Sequence, residues 1–186
     1  IVVSLTHFGY VKRVPVSEYR TQRRGGKGVT AHKPKEEDFV NNMFVSSTHD
    51  DILFFTDKGK VYSMKGYHLP VGTRTARGRA VVNLLQIEQD EKINAIIPIK
   101  EGSERDGFLI MATKNGLIKK TSFEEFASIR KGGKIAITLN DGDELIGVEQ
   151  VYEGDDVIMA ASSGKCIRFG QDNVRATGRT SMGVKS

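Results

Sequence analysis

The sequence predicts an all-β fold, a β-propeller of repeated four-stranded blades, on three observations. Glycines in a hairpin-like setting recur at Gly9, Gly59, Gly116 and Gly164, spaced 50, 57 and 48 residues apart in a chain of 186. An apolar run precedes each glycine and an apolar side chain stands two residues after it, the pattern of a strand, a tight turn and a returning strand. No segment sustains helical periodicity; 123–129 comes nearest, with room for one short turn. Four-stranded units of about 50 residues are the arithmetic of a propeller, whose blades bury one another's faces. A pair of β-sandwiches is the plainer alternative, but it would not require the repeat to extend through the loops.

The first strand of each unit is carried by Val2-Val3-Ser4-Leu5, Ile52-Leu53-Phe54-Phe55, Phe108-Leu109-Ile110-Met111 and Val157-Ile158-Met159-Ala160, rich in strand-favouring residues. Lys58-Gly59, Asn115-Gly116 and Ser163-Gly164 supply turns that need positive φ. The second strand puts Val11, Val61, Ile118 and Cys166 at one repeated position, so Cys166 is expected to be a buried, unreactive thiol. Ten residues past each glycine stand Tyr19, Leu69, Phe126 and Val174, and fifteen past it Arg24, Arg74, Lys131 and Arg179. Nineteen past it come Gly28, Gly78 and Gly183, while the third copy is two residues shorter and offers Gly133. A basic, glycine-bearing loop therefore repeats with the hairpin. After it the first three copies pass an acidic turn into a further strand, at 38–45, 92–99 and 144–151. The repeats of this single domain run approximately 1–35, 36–85, 86–138 and 139–186. The first lacks an acidic lead-in strand and the last stops after its basic loop, so the chain is expected to be a fragment whose ring is incomplete.

Composition excludes several classes. Hydrophobic content of 38% suffices for a core, and no apolar run approaches the length of a membrane span. Ile1-Val2-Val3 breaks at Ser4, too short for a signal peptide, so a soluble chain is expected. The single Cys166 rules out an internal disulfide, and His7, His32, His49 and His68 are too scattered for a metal site. Asp141, Asp143 and Glu144 form an acidic turn without the rest of a calcium loop. Gly26-Lys27-Gly28-Val29-Thr30 is not a P-loop, and no nucleophile and base are paired by motif.

Charge alternates with the repeat. Residues 11–35, 58–79, 114–134 and 157–186 carry net +7, +6, +4 and +4, whereas 36–57, 80–107 and 135–156 carry −6, −3 and −7. Equivalent segments of a repeat occupy equivalent places, so the cations are expected to line one edge. Those singled out are Lys12, Arg13, Arg20, Lys33, Lys35, Lys58, Lys60, Lys65, Arg74, Arg77, Arg79, Lys119, Lys120, Arg130, Lys131, Lys134, Lys165, Arg168, Arg175 and Arg179. A basic edge over several blades follows a polyanion by neutralising phosphates without reading bases. There is no Trp, and Tyr10, Tyr62 and Phe169 lie in strands, so stacking platforms for single strands are few and duplex DNA fits better.

One stretch stands apart: Gln22, Arg23, Arg24, Gly25, Gly26, Lys27 and Gly28 set three cations among three glycines with no acid between them. Glycine exposes backbone N–H groups, and Arg and Lys supply charge and donors, a combination suited to phosphate. QRRGGKG resembles the signature box in the C-terminal domain of gyrase A, the DNA-wrapping part of that family. The resemblance extends over the chain through His7-Phe8-Gly9-Tyr10-Val11-Lys12, Ser17-Glu18-Tyr19-Arg20, Lys60-Val61-Tyr62-Ser63-Met64-Lys65, Gly142-Asp143-Glu144-Leu145-Ile146-Gly147-Val148, Gly164-Lys165 and Val174-Arg175-Ala176. It implies a six-bladed β-pinwheel with strand-swapped blades, about four of them present here. It also implies a basic perimeter that wraps duplex DNA with fixed chirality, and a box required for that wrap and so for negative supercoiling by DNA gyrase. The partners implied are DNA, the N-terminal part of gyrase A, and gyrase B, in an A2B2 enzyme of the bacterial cytoplasm and nucleoid. ATP, magnesium and the cleaving tyrosine would then belong to other domains, leaving no catalytic residue, cofactor or metal in this stretch. The related topoisomerase IV has a similar domain with a degenerate box, and a protein-docking or RNA-binding propeller is the remaining alternative.

Overall fold

The computed structural model describes residues 1–19, 24, 26, 28, 38–102 and 105–185. Among these the regular elements are antiparallel strands and short 3-10 turns, with no α-helix. The first hairpin is β1 (Val2–Thr6) and β2 (Tyr10–Val14), with β3 (Val40–Val45) on the far side of β1. The second is β4 (Asp51–Thr56) and β5 (Lys60–Lys65). The chain then runs back to the first sheet and adds β6 (Arg79–Ala80) to β2, giving the order β3-β1-β2-β6. β7 (Ile93–Ile99) returns to β4, and a third hairpin follows, β8 (Phe108–Thr113) and β9 (Leu117–Ser122). β10 (Lys134–Ile135) completes the second sheet as β10-β5-β4-β7. β11 (Leu145–Val151) pairs with β8; β12 (Asp156–Ala160) and β13 (Cys166–Gly170) form the fourth hairpin; and β14 (Val184–Lys185) pairs with β9, for β11-β8-β9-β14. Each four-stranded sheet is therefore finished by a two-residue strand from the loop after the next hairpin, which is the strand exchange that the resemblance implied.

The turn glycines behave as their spacing requires. Gly9, Gly59, Gly116 and Gly164 have φ of 81°, 75°, 82° and 80°, and each donates its N–H to the carbonyl three residues back. Seven residues past each of them a 3-10 turn begins, at Val16, Gly66, Phe123 and Gln171. It delivers Leu69, Phe126 and Val174 into the core, with Tyr19 half-buried. The acidic residues before the outer strands lash those strands to the hairpin turns. Asp38 Oδ1 accepts from the Phe8 and Phe39 N–H groups, each at 3.0 Å, and Asp143 Oδ1 from Asn115 and Glu144 at 3.0 and 2.9 Å. In the second hairpin the direction reverses, the turn residue Asp57 accepting from Lys92 N–H at 2.9 Å. Within the 141–144 cluster, Asp143 Oδ1 is thus engaged in the turn.

The chain divides into two compact units, Ile1–Ile52 with Met64–Gln89 and Pro98–Gly102, and Leu53–Ser63 with Asp90–Ile97 and Ser103–Ser186. In the first, β1 is buried along its whole length, so its apolar run serves both faces of the sheet, and Val11, Val14, Leu69, Val81 and Leu85 join it. In the second, Phe55 meets Phe126 edge-on at 5.9 Å between ring centroids. Ile110, Ile118, Val151 and Val174 form a cluster there on which Phe108, Val157, Met159 and Phe169 pack.

Cys166 departs from expectation. It holds the register of its repeat, opposite Ala160 as Ile118 is opposite Ala112 and Val11 opposite Leu5, yet it is exposed. The reason lies in the strand exchange. Val11, Val61 and Ile118 are paired on their far side by β6, β10 and β14, whereas β13 pairs only with β12 among the described residues.

Candidate nucleic-acid interface

The described basic loops 73–79, 130–134 and 177–183 sit where strand exchange places them, on β2, β5 and β9, the second strands of the hairpins one repeat earlier. In the first unit, loop 73–79 crosses β2. A Cβ on Gly78, whose φ is +89°, would lie 2.5 Å from the Val11 carbonyl oxygen, so only glycine lets the chain come this close. Arg13 and Gly72 donate backbone bonds to Pro70 and Arg13 at 2.9 and 3.0 Å, and the Arg13 guanidinium donates to the Leu69 carbonyl at 2.8 Å and to that of Tyr67 at 3.3 Å. Beneath the loop the Lys12 side chain is fully buried, and its Nζ donates to the carbonyls of Thr73, Arg74 and Ala76. Arg77 lies over the Tyr10 ring, 3.6 Å from its centroid, held by the ring's negative face.

The second unit repeats the plan with substitutions. Gly133 packs against the ring of Tyr62, which stands where Lys12 does in the first hairpin; a Cβ on Gly133 would meet that ring at 2.7 Å. The Tyr62 hydroxyl donates to Glu91 at 3.0 Å. At loop 177–183 the lysine returns: buried Lys119 donates from Nζ to the carbonyls of Ala136, at 2.7 Å, and Arg179. Burial takes the Lys119 ammonium down to about 8; the Arg179 charge pushes the same way and Glu125 opposes it. Lys120 is buried beside it and donates to the Gln171 carbonyl at 2.9 Å and to its side-chain oxygen at 2.7 Å.

The expected perimeter therefore splits. Lys12, Lys119 and Lys120 are a correction: the sequence places each among the surface cations, but each is buried with its ammonium on protein oxygens, because these strands are covered on both faces. Arg13 and Arg179 are partly committed to carbonyls, Arg179 donating to Ile135 at 2.7 Å. Lys58, Lys60, Lys65 and Arg168 pair with Asp90, Glu91, Asp51 and Asp156. Arg24, Arg79, Arg130, Lys131, Lys165 and Arg175 are exposed, while Arg74, Arg77 and Lys134 are half-buried. Of the box, Arg24, Gly26 and Gly28 are described, the last with φ of 39°; Gln22, Arg23, Gly25 and Lys27, with Arg20, Lys33 and Lys35, lie outside the described residues. Sequence reasoning missed the hydroxyls of Ser17, Thr73 and Thr75, which with Glu18 and Arg74 line an open polar cavity of about 520 Å³ beside the first loop. The signal available was the Thr on either side of Arg74. Among the described residues no group of three or more His, Cys, Asp or Glu could hold a metal ion, and no helix is long and apolar enough to cross a membrane.

The family model described as "DNA gyrase C-terminal domain, beta-propeller" matches residues 1–47, 50–100, 107–151 and 155–186. The gyrase A protein of Escherichia coli K12 is 52% identical over 185 residues, covering 100% of this chain and 21% of that protein. Its Clostridium acetobutylicum counterpart is 50% identical over the same length, covering 100% and 22%. The chain thus spans about a fifth of these relatives. A solved DNA gyrase A C-terminal domain superposes with a TM-score of 0.74 at 29% identity, covering 100% of this chain and 59% of that one. The C-terminal domain of DNA topoisomerase IV gives 0.82 at 26%, covering 99% and 55%.

Proposed function

Because this chain belongs to the DNA gyrase C-terminal domain family, we propose that it binds duplex DNA through its basic loops, without reading base sequence, and bends it into the chiral wrap that gyrase uses for negative supercoiling. The observation that carries this reading is the repeated loop. Arg79 and Lys134 open the short strands β6 and β10 opposite the equivalent residues Val11 and Val61, and Arg74, Lys131 and Arg179 stand fifteen residues past successive hairpin glycines, so cations recur at fixed structural positions. Such cations neutralise phosphates and release counterions. Smooth bending of 20–30 base pairs costs on the order of 1–6 kcal/mol, which many contacts of this kind can offset. The box at 22–28 would fix the end of the wrap. Gyrase B and the N-terminal part of gyrase A would be the partners, in the cytoplasm at the nucleoid, with ATP and magnesium used there and no catalytic residue here. A role in topoisomerase IV is the second reading, favoured by the TM-score of 0.82; the intact QRRGGKG weighs toward gyrase.

Gel-shift titration against duplex length and salt tests the proposal. Affinity should rise with length and be indifferent to sequence, and log K should fall against log salt by about 0.9 per phosphate engaged. Binding that is independent of length, or confined to one short sequence, would replace wrapping with local recognition.

A further inference from the structure

We propose that Lys12 and Lys119 are positioning residues that shape the basic loops for phosphate, each drawing loop carbonyls inward onto a buried ammonium and so turning peptide N–H groups and arginines outward. The proposal rests on the DNA-binding reading above and names what makes the loops competent for it.

The two lysines are equivalent: each is the third residue after a hairpin glycine, Gly9 and Gly116, and each bonds the carbonyl fifteen residues past the next glycine in its sheet's exchange, Arg74 and Arg179. Lys12 also takes the Thr73 and Ala76 carbonyls at 3.1 and 2.8 Å, so an ammonium's three donors meet three acceptors of one loop. A trans peptide points its N–H opposite to its C=O, and no peptide described is cis. The N–H groups of Arg74, Thr75 and Arg77 therefore face away from Lys12, and that of Thr180 away from Lys119. Outward N–H groups on a turn, over a fixed positive charge, make an anion-binding concavity. Around it the cations are already oriented, Arg77 by Tyr10 in the first loop and Arg179 by the Ile135 carbonyl in the second. The cavity beside 73–75 is lined by Glu18 as well as Arg74, so the carboxylate opposes an anion there and leaves the Arg77 side of the loop as the phosphate face.

Lys119 makes the idea testable by pH, since it titrates near 8 with Arg179, Glu125 and its strand neighbour Lys120 as the charged groups about it. Lys119 is protonated more readily in the unfolded chain, so stability rises with pH from about 8 toward the ordinary lysine value, as the penalty for burying its charge is relieved. The charged anchor is lost over the same window. Stability and DNA affinity should then move in opposite directions, which a purely structural lysine would not produce.

The experiment measures affinity of the full-length chain for a mixed-sequence DNA duplex between about pH 7 and pH 9.5, with stability alongside. Affinity should fall roughly 3- to 10-fold across the window, as expected for losing one to two phosphate contacts. Lys119→Arg, which stays charged throughout, should bind equally at both ends. Lys119→Met should bind at the lower pH as the parent does at the higher, with a flat profile. If Lys119→Met does not fold, the parent and Lys119→Arg profiles decide. A flat parent profile, or the same fall in Lys119→Arg, overturns the positioning role while leaving DNA binding in place; absence of duplex binding at any pH overturns both.

Discussion

The thiol of Cys166 stands exposed on β13, opposite Ala160 and without a strand beyond it among the described residues. It should react with a thiol reagent under native conditions at a rate close to that of a free thiol, and Cys166→Ser should change stability by no more than about 0.5 kcal/mol, as at an ordinary surface position. Slow labelling, or a loss above about 1 kcal/mol, would show that another segment covers β13. The repeat register at Cys166 was legible from the sequence; its burial was not, because burial depends on a pairing strand that arrives from a following repeat. Lys12, Lys119 and Lys120 failed to be legible for the opposite reason. A lysine in a segment of net positive charge reads as solvated, yet the position of Lys12 and Lys119 is filled by the aromatic Tyr62 in the second hairpin, which was the available sign that it faces inward. The cations Arg74 and Lys131 followed from the recurring loop alone, and the structure seats Arg79 and Lys134 as equivalents, opposite Val11 and Val61.

At the scale of elements, the exchanged strands β6, β10 and β14 are two residues each, too short for any periodicity to register. What betrays them is a glycine that recurs in step with the hairpin although no tight turn requires it. Gly78 shows the reason, since a Cβ there would collide with the Val11 carbonyl. Gly78→Ala should destabilise the first unit by about 1–3 kcal/mol, combining the left-handed backbone penalty with that collision. Gly102→Ala is the control, because Gly102 has φ of +71° with nothing within 4 Å of its Cβ position. Denaturant titration of both variants separates the terms; equal losses would mean that close approach to β2 contributes nothing. The 3-10 turns escaped notice for the same reason of length, apart from 123–126 with its two phenylalanines. Their constant offset of seven residues from the hairpin glycine is visible only once the repeats are aligned on the turns.

At the scale of the whole chain, charge segregation and the box carry the functional reading, and they make separable predictions. Neutralising Arg79, Arg130 and Lys131 together should weaken duplex binding and reduce the salt slope by about three. Neutralising Arg23, Arg24 and Lys27 should leave much of the binding intact while supercoiling by the assembled enzyme collapses and relaxation or decatenation survives. A topology assay on reconstituted enzyme beside the binding assay compares the two. Matched losses of binding and supercoiling in both triple variants would leave only summed charge and no separate role for the box. Strand exchange has a further consequence, for the order in which the protein can be made. β2 ends at Val14 but lacks its outer neighbour until Arg79 and Ala80 exist, and β5, ending at Lys65, waits for Lys134 and Ile135. At synthesis rates of about 5–20 residues per second, each sheet spends several seconds with an open edge after its own hairpin has left the ribosome. Maturation must therefore lag translation by one repeat, every newly emerged loop closing the sheet made before it.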